Sequence, residues 1–389
     1  MMDELLILPC PICGAESSLV AEHELCGFND SIFDGVAEYR GCEDCNYVWL
    51  ASVSQDDLCE YYSKEAVYFA SSHFDINAPG NIAKFKRYTD LVQSVPGDIG
   101  SVLDIGCGRG GFISWLKKNC PELSCFGVDL DLKSLPANRS GSPFFINGDI
   151  SKLPFASSQF DVVTCFHVLE HVLDIDVFLA ERARILKEGG HFVLEVPDAS
   201  QYSVETPCKG FWVGVQEHVN HFSPQALQKV LENAGFAIRS IGQGVAESSD
   251  VDYPFIAIVA QKNAEACFPA EYSMDSVPAY VQDSLRHFKD IGANLSGLPH
   301  ESIVFWGVSM MFMYILPYVT GKNINVCDAS VFKQNQKIMG KTIISPEEAF
   351  KRYGNKDTCL VVSSLLNYEV IRKAALDLGW KSENITKIV

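Results

Sequence analysis

Glu217, His218 and His221 fall within the stretch VQEHVNHF, an acid and two imidazoles among apolar and aromatic neighbours. Such a group can take a proton from a substrate, because imidazole titrates near neutrality and a neighbouring carboxylate can orient it. Ser223 and Pro224 follow, a good N-cap and a residue suited to a first turn, so SPQALQKVLENAGF is read as a helix and VQEHVNHF as the loop feeding it. His221 and Phe222 are expected to dock that helix, leaving Glu217 and His218 as base and orienting partner. A second pair, His167 and His171 in HVLEH, matches the spelling of some zinc proteases. That chemistry needs both histidines on one helical face, whereas His167 follows the strand FDVVTCF almost directly. His171 is read either as a proton acceptor or as a packing residue at a helix start.

Four cysteines form a different kind of site. Cys10 and Cys13 make CPIC, Cys42 and Cys45 make CEDC, and 28 residues separate the two pairs. Paired thiolates of this kind suit a closed tetrahedral Zn²⁺ site that holds together a segment too small to fold alone. With no open coordination position, such an ion is structural.

Gly106, Gly108 and Gly111 in VLDIGCGRGGF follow a strand and open a helix. Glycines there let the backbone turn tightly and approach a cofactor, and the helix amino terminus favours electron-rich groups. Nicotinamide enzymes use the same spacing. Three acids narrow the choice: Asp104 two residues before the first glycine, Asp129 at the strand end within GVDLD, and Asp149 at the strand end within NGDI. At successive strand ends they can receive an amino group, a ribose diol and an adenine amine. Singly, each is equally at home as a cap or turn carboxylate.

The elements that must carry these residues are short apolar runs alternating with helical stretches. SVLDIG, CFGVDL, FFINGDI, FDVVTCF, HFVLEV and FIAIVAQ are read as strands of a doubly wound, mostly parallel sheet in an α/β fold. Ligands in such sheets bind beyond the carboxyl ends of the strands, where the acids, the glycine loop and His167 fall. The 389 residues divide into a zinc-binding module at 1–62, a helical connector at 63–97, a core at 98–262, and a linker helix with a Rossmann-like α/β domain at 263–389. The uncharged run from Ser302 to Val319 is interrupted by Gly307 and Pro317, so it is read as strand, turn and helix and not as a membrane span. With 31 Lys+Arg against 49 Asp+Glu and a formal charge of −18, the chain repels polyanions, which argues against nucleic acid as a partner. The acidic start MMDELLILPC lacks a secretory pattern, so a cytoplasmic protein with reduced thiols is expected.

The glycine loop and its acids resemble the class I S-adenosylmethionine-dependent methyltransferases. LDIGCGRGGF, GVDL, GDISKLPFASSQFDVV, HVLEHV and LKEGGHFVLEVPD occur in that family's order, from roughly Gly100 to Lys262. The resemblance implies Asp104 near the methionine end of the cofactor, Asp129 on the ribose hydroxyls, Asp149 with Ile150 at the adenine, and a reversed last strand at PFIAIVAQ. More narrowly, the chain is similar to the zinc-containing sugar C-methyltransferases that act on nucleotide-linked ketosugars. The similarity lies in the cysteine module, the connector YYSKEAVYFASSHF, the Glu-His pair after EVPD, and VCDASVFKQNQKIMGKTIISPEE near the end. It implies deprotonation beside a ketone and methylation of the enolate, with His171, Glu217, His218 and the connector Tyr68 as acid–base and positioning groups. Where that family carries a tyrosine two residues before its Glu-His pair, this chain has Val215. O-methylation of a sugar or related hydroxyl, and a cofactor-binding assembly protein without turnover, therefore stay open. In the last domain, GVSMMF has Ser309 where a dinucleotide loop would have its second glycine, and Asp328 with Lys333 is read either as a contact for the substrate's nucleotide end or as a surface pair.

Overall fold

The computed structural model describes residues 8–28, 31–64, 76–131, 141–203, 208–246, 252–264 and 274–389. Three antiparallel strands come first: β1 (Ser18–Leu25), β2 (Gly35–Cys42) and β3 (Tyr47–Leu50). The central sheet is built from β4 (Ser101–Ile105), β5 (Ser124–Asp129), β6 (Phe144–Asn147), β7 (Phe160–Phe166) and β8 (Leu186–Pro197). A short β9 (Asn220–His221) intervenes before β10 (Phe236–Ala246) and β11 (Tyr253–Lys262).

The central sheet runs β10-β11-β8-β7-β4-β5-β6. Its strands are parallel except β11, which is antiparallel to both β8 and β10. PFIAIVAQ is therefore the reversed strand that the resemblance implies. The fold is a methyltransferase-like α/β sheet, doubly wound and mostly parallel. It has seven strands where the sequence reading placed six, because FAIRSIGQGVA was not recognised. β10 is an edge strand whose residues beyond Ile238 are largely solvent-facing, so it lacks the continuous apolar run of a buried parallel strand. β6 ends at Asn147, so Asp149 stands in the following loop and not at the strand end.

VQEHVNHF is not purely a loop. Its Asn220 and His221 form β9 and pair with Trp49 and Val48 of β3, completing the sheet β1-β2-β3-β9. Buried backbone must find partners, and β3 offers an open edge. Ser223 then caps the helix Pro224–Asn233, accepting the Ala226 N–H at 3.1 Å.

The third unit is a parallel sheet in the order β13-β12-β16-β17, with β12 (Ser302–Trp306), β13 (Asn323–Cys327), β16 (Thr358–Val362) and β17 (Ile385–Lys387). A two-stranded hairpin, β14 (Lys337–Ile338) and β15 (Lys341–Thr342), lies between. The uncharged run resolves into β12, Gly307 at φ +102°, and the helix Met310–Ile315. Among the described residues no helix is long and apolar enough to cross a membrane.

The amino-terminal sheet is a wedge. One core joins its Val20, Tyr39 and Leu50 to the helix Val277–Ser296 and to Phe305 and Phe312 of the last unit. Another joins its Tyr47 and Trp49 to Leu103, Val163 and Phe222 of the central unit. The module holding the cysteines thus touches both α/β units.

Candidate functional site

The glycine loop hangs from the carboxyl end of β4. Gly106 and Cys107 donate their N–H groups to the Val128 carbonyl at 2.9 and 3.1 Å, which seats the loop against β5. Gly106, Gly108 and Gly110 have φ of +67°, +51° and +69°. Gly110 is the left-handed N-cap of the helix Gly111–Asn119, a requirement that reading only residues 106, 108 and 111 overlooks. A Cβ on Gly106 would lie 2.4 Å from Val168 Cγ2. Gly106→Ala is therefore expected to cost about 2–4 kcal/mol, combining left-handed strain with overpacking. Denaturant unfolding measures this, and S-adenosylhomocysteine titration should show weakened binding in the same variant.

Asp129, at the end of β5, accepts N–H groups from Gly108 at 2.8 Å and Asp131 at 2.9 Å. Burial raises its pKa, against those bonds. Asp104 is buried and accepts the Thr164 hydroxyl at 2.7 Å. Burial, reinforced by nearby Asp129 and opposed by Thr164, pushes Asp104 up to about 7. Asp149 is exposed and accepts the Ser151 N–H at 2.8 Å, with Ile150 beside it partly buried. The structure thus brings Asp104, Asp129 and the three glycines to one sheet edge, with Asp149 in the loop beyond β6.

His167 follows β7 at φ +57°, outside any helix, as expected from its place after FDVVTCF. Its Nε2 lies 3.2 Å from Glu195 and its Nδ1 3.3 Å from Glu170. Burial lowers its pKa, but Tyr253 and the two carboxylates outweigh that and hold it well above the ordinary value. Glu195, fully buried in β8, also receives Arg87 Nη2 at 2.8 Å, Arg87 Nε at 3.0 Å and the Tyr88 hydroxyl at 3.1 Å. Burial alone would raise Glu195; His167 and Arg87 keep it below the usual carboxylate range. The sequence reading missed this network, although a glutamate inside the apolar run HFVLEV signalled it.

Beside it, Leu169–His171 forms one 3₁₀ turn. The His171 Nδ1 lies 2.7 Å from the Glu217 carbonyl oxygen and 2.9 Å from the Tyr62 hydroxyl. Tyr61 donates to Glu217 Oε1 at 2.7 Å. The His171 and His218 rings are 5.1 Å apart, edge to face. Burial first, then the neighbouring His171, His221 and His167, lower the His218 pKa well below 6.5, so its ring is neutral. Burial also lowers His221 to about 4; it sits in β9 with the Tyr202 hydroxyl 3.4 Å from its Nδ1, a docked core histidine as expected. Tyr61 and Tyr62, on the helix Gln55–Lys64 that leads into the connector, reach the cluster, whereas the connector's Tyr68 lies outside the described residues.

Cys10, Cys13, Cys42 and Cys45 converge with their sulfurs within 4.8 Å of one another. The helix Pro224–Asn233 is tied to both knuckles: Ser223 donates to the Cys45 carbonyl at 3.0 Å, Gln225 to Asp44 at 2.7 Å, and Asn233 to Ile12 at 2.7 Å. The cysteine cluster therefore anchors the segment carrying Glu217 and His218. In the last unit, Asp328 accepts the Val308 and Ser330 N–H groups, each at 2.8 Å, and Lys333 donates to the Val308 carbonyl at 2.7 Å. This pair braces the turn after β12, and Ser309 caps the following helix through Phe312 N–H.

A family profile described as "Methyltransferase domain" matches residues 81–241. A probable S-adenosylmethionine-dependent methyltransferase of Mycolicibacterium smegmatis is 29% identical over 155 residues, covering 38% of this chain and 57% of its own. A demethylmenaquinone methyltransferase of Roseiflexus sp. is 35% identical over 107 residues, covering 26% of this chain and 45% of its own. An uncharacterized 37.1 kDa protein of Streptomyces fradiae, in transposon TN4556, is 27% identical over 195 residues, covering 47% and 56%. The chain spans about half the length of these curated relatives. Residues 81–241 thus match a methyltransferase domain, with the glycine loop and its acids inside that span and the reversed strand β11 just beyond it.

Proposed function

We propose that this chain transfers a methyl group from S-adenosylmethionine to a sugar-type small molecule, with carbon methylation of a nucleotide-linked ketosugar as the first reading. The observation that carries it is the Tyr61–Glu217 and Tyr62–His171 pairing beside His218, a cluster of acid–base groups joined to the carboxyl end of β7. The cofactor supplies an electrophilic methyl on sulfur, and the protein's part is to hold it and to manage a proton. Asp104 takes the amino end, Asp129 the ribose hydroxyls, and Asp149 with Ile150 the adenine, while the glycine loop leaves room for the backbone to approach. His167, fixed between Glu170 and Glu195, lines the same edge.

Glu217 receives the proton. Tyr61 occupies Oε1, which leaves Oε2 for the acceptor's C–H. Neutral His218 orients the pair, and His171 is held by the Glu217 carbonyl. Removing the proton beside a ketone leaves an enolate whose carbon is the nucleophile. Val215 offers no hydroxyl where the similar sugar enzymes have one, which favours O-methylation as the second reading. Transfer from methyl-labelled cofactor to a panel of nucleotide-linked ketosugars tests both: a carbon-bound label supports the first and an oxygen-bound label the second. No transfer to any sugar overturns both.

We also read the four cysteines as a structural Zn²⁺ site. A tetrahedral ion with Zn–S near 2.3 Å puts sulfurs roughly 3.8 Å apart, and Cys13 and Cys42 are 3.6 Å apart. Burial pushes Cys10 up to about 12, so without a cation its thiol keeps its proton.

A pH prediction follows from Asp104. The free protein holds a proton there up to about pH 7, whereas binding the cofactor's ammonium needs the carboxylate. Affinity for S-adenosylhomocysteine should therefore rise about tenfold between roughly pH 6 and 8 and then level off. Calorimetry in buffers of different ionisation enthalpy should show proton release at the acidic end, and Asp104→Asn should abolish the dependence.

A further inference from the structure

Glu170 is 1% exposed, and among the described residues neither of its carboxylate oxygens has a hydrogen-bond partner. A carboxylate in that position is costly unless something cationic faces it. His167 supplies part of that charge: its Nδ1 is 3.3 Å from Oε1, and its Nε2 faces Glu195 at 3.2 Å. Among the described residues Oε2 is left without a hydrogen-bond partner.

Beside His167, two further imidazoles come close to Glu170. His171 Nδ1 meets the Glu217 carbonyl at 2.7 Å and the Tyr62 hydroxyl at 2.9 Å, and an Nδ1 hydrogen donated to that carbonyl leaves Nε2 to offer its lone pair to a metal ion. That Nε2 stands 3.9 Å from Glu170 Oε1. A backbone carbonyl fixing the far nitrogen is the arrangement metal-binding histidines use. His218 has a buried Nδ1 with no hydrogen-bond partner among the described residues. One ligand atom from each of Glu170, His171 and His218 falls within 4.8 Å of the other two.

We propose that Glu170, His171 and His218 form a second metal site, for a divalent transition ion, distinct from the cysteine cluster. Two imidazoles and one carboxylate suit Zn²⁺ or a similar ion and leave coordination positions open. The protease-like spelling HVLEH is not the site: His167 faces Glu195, and the third ligand comes from the loop before β9. Metal binding itself does not depend on the methyl-transfer reading. Its use does rest on that reading: an ion held by Glu170, His171 and His218 would supply Lewis-acid stabilisation of the acceptor's oxygen, while Glu217 takes the proton.

Cobalt(II) is the probe, titrated into full-length protein that has been given one equivalent of Zn²⁺, which the four thiolates take first. Nitrogen and oxygen ligands report through d–d absorption, while any ion entering the cysteine cluster declares itself by thiolate charge transfer. We expect d–d bands without charge transfer, saturating at about one equivalent. Glu170→Gln and His218→Ala should each weaken binding by at least about tenfold. Circular dichroism and S-adenosylhomocysteine binding establish that the variants are folded. A thiolate spectrum alone, or unchanged cobalt affinity in both folded variants, overturns the site. If S-adenosylhomocysteine binds and cobalt gives only the thiolate spectrum, the metal fails and the methyl-transfer reading stands. If cobalt binds as expected and S-adenosylhomocysteine does not, the reverse holds.

Discussion

Glu217→Gln is expected to lower turnover by about 10²–10⁴-fold, the range for a removed general base, while S-adenosylhomocysteine affinity stays within about twofold. The amide keeps the shape and can still accept from Tyr61, which donates to Oε1 at 2.7 Å, but it can no longer take a proton. His171 should stay in place, because it meets the Glu217 backbone carbonyl and not the side chain. His218→Ala should also lower turnover, by removing the ring whose edge faces His171 at 5.1 Å. Single-turnover kinetics with labelled cofactor separates the chemical step from binding. Full turnover in both variants on a confirmed substrate would remove Glu217 and His218 from the chemistry.

The second large effect is expected from the cysteines. Cys42→Ser should release the ion and unfold β1–β3 locally, because structural zinc in small modules contributes on the order of 10 kcal/mol of folding free energy. Cys42 closes β2 and Cys45 stands in the turn before β3, so both strands lose their tether. The damage should travel further. β3 pairs with β9, and Ser223, Gln225 and Asn233 hold the helix Pro224–Asn233 to the knuckles. Hydrogen exchange followed by mass spectrometry should show lost protection across residues 18–50 and 216–233, with β4, β5 and β7 still protected. Turnover should fall with it, since Glu217 loses its support. Retained protection of β1–β3 in the variant, or no zinc released by chelation, would refute the structural ion.

Much of the sheet edge that carries the glycine loop was legible because its signals are local. The glycines of 106–111 follow a strand within a few residues, and Asp104 and Asp129 are fixed by strand and loop geometry that the chain writes consecutively. The cysteine pairs were legible for the same reason: each knuckle is four residues long. What could not be read is what depends on distant partners. β9 exists only because β3 has an open edge, and nothing in VQEHVNHF states that. Tyr61 and Tyr62 reach Glu217 and His171 because the helix Gln55–Lys64 packs there, a choice among tyrosines that spacing does not make. The Arg87–Glu195 pair joins residues 108 apart and is visible in sequence only as a charge in an apolar strand. β10 escaped because an edge strand with one wet face carries little hydrophobic pattern.

The pairing of β3 with β9 also bears on how the chain is made. Tyr47 and Asn220, which bond side chain to side chain across that junction, are 173 residues apart. During synthesis β1, β2 and β3 leave the ribosome long before their fourth strand exists. Until then YVWL, whose four side chains are all buried in the finished protein, presents an unpaired apolar edge, the kind that nascent chains bind to one another through. Zinc captured early would hold the three strands together through that interval without covering the edge. The same topology makes the cysteine module a poor candidate for transplantation: cut after residue 62, it leaves behind the strand that finishes it.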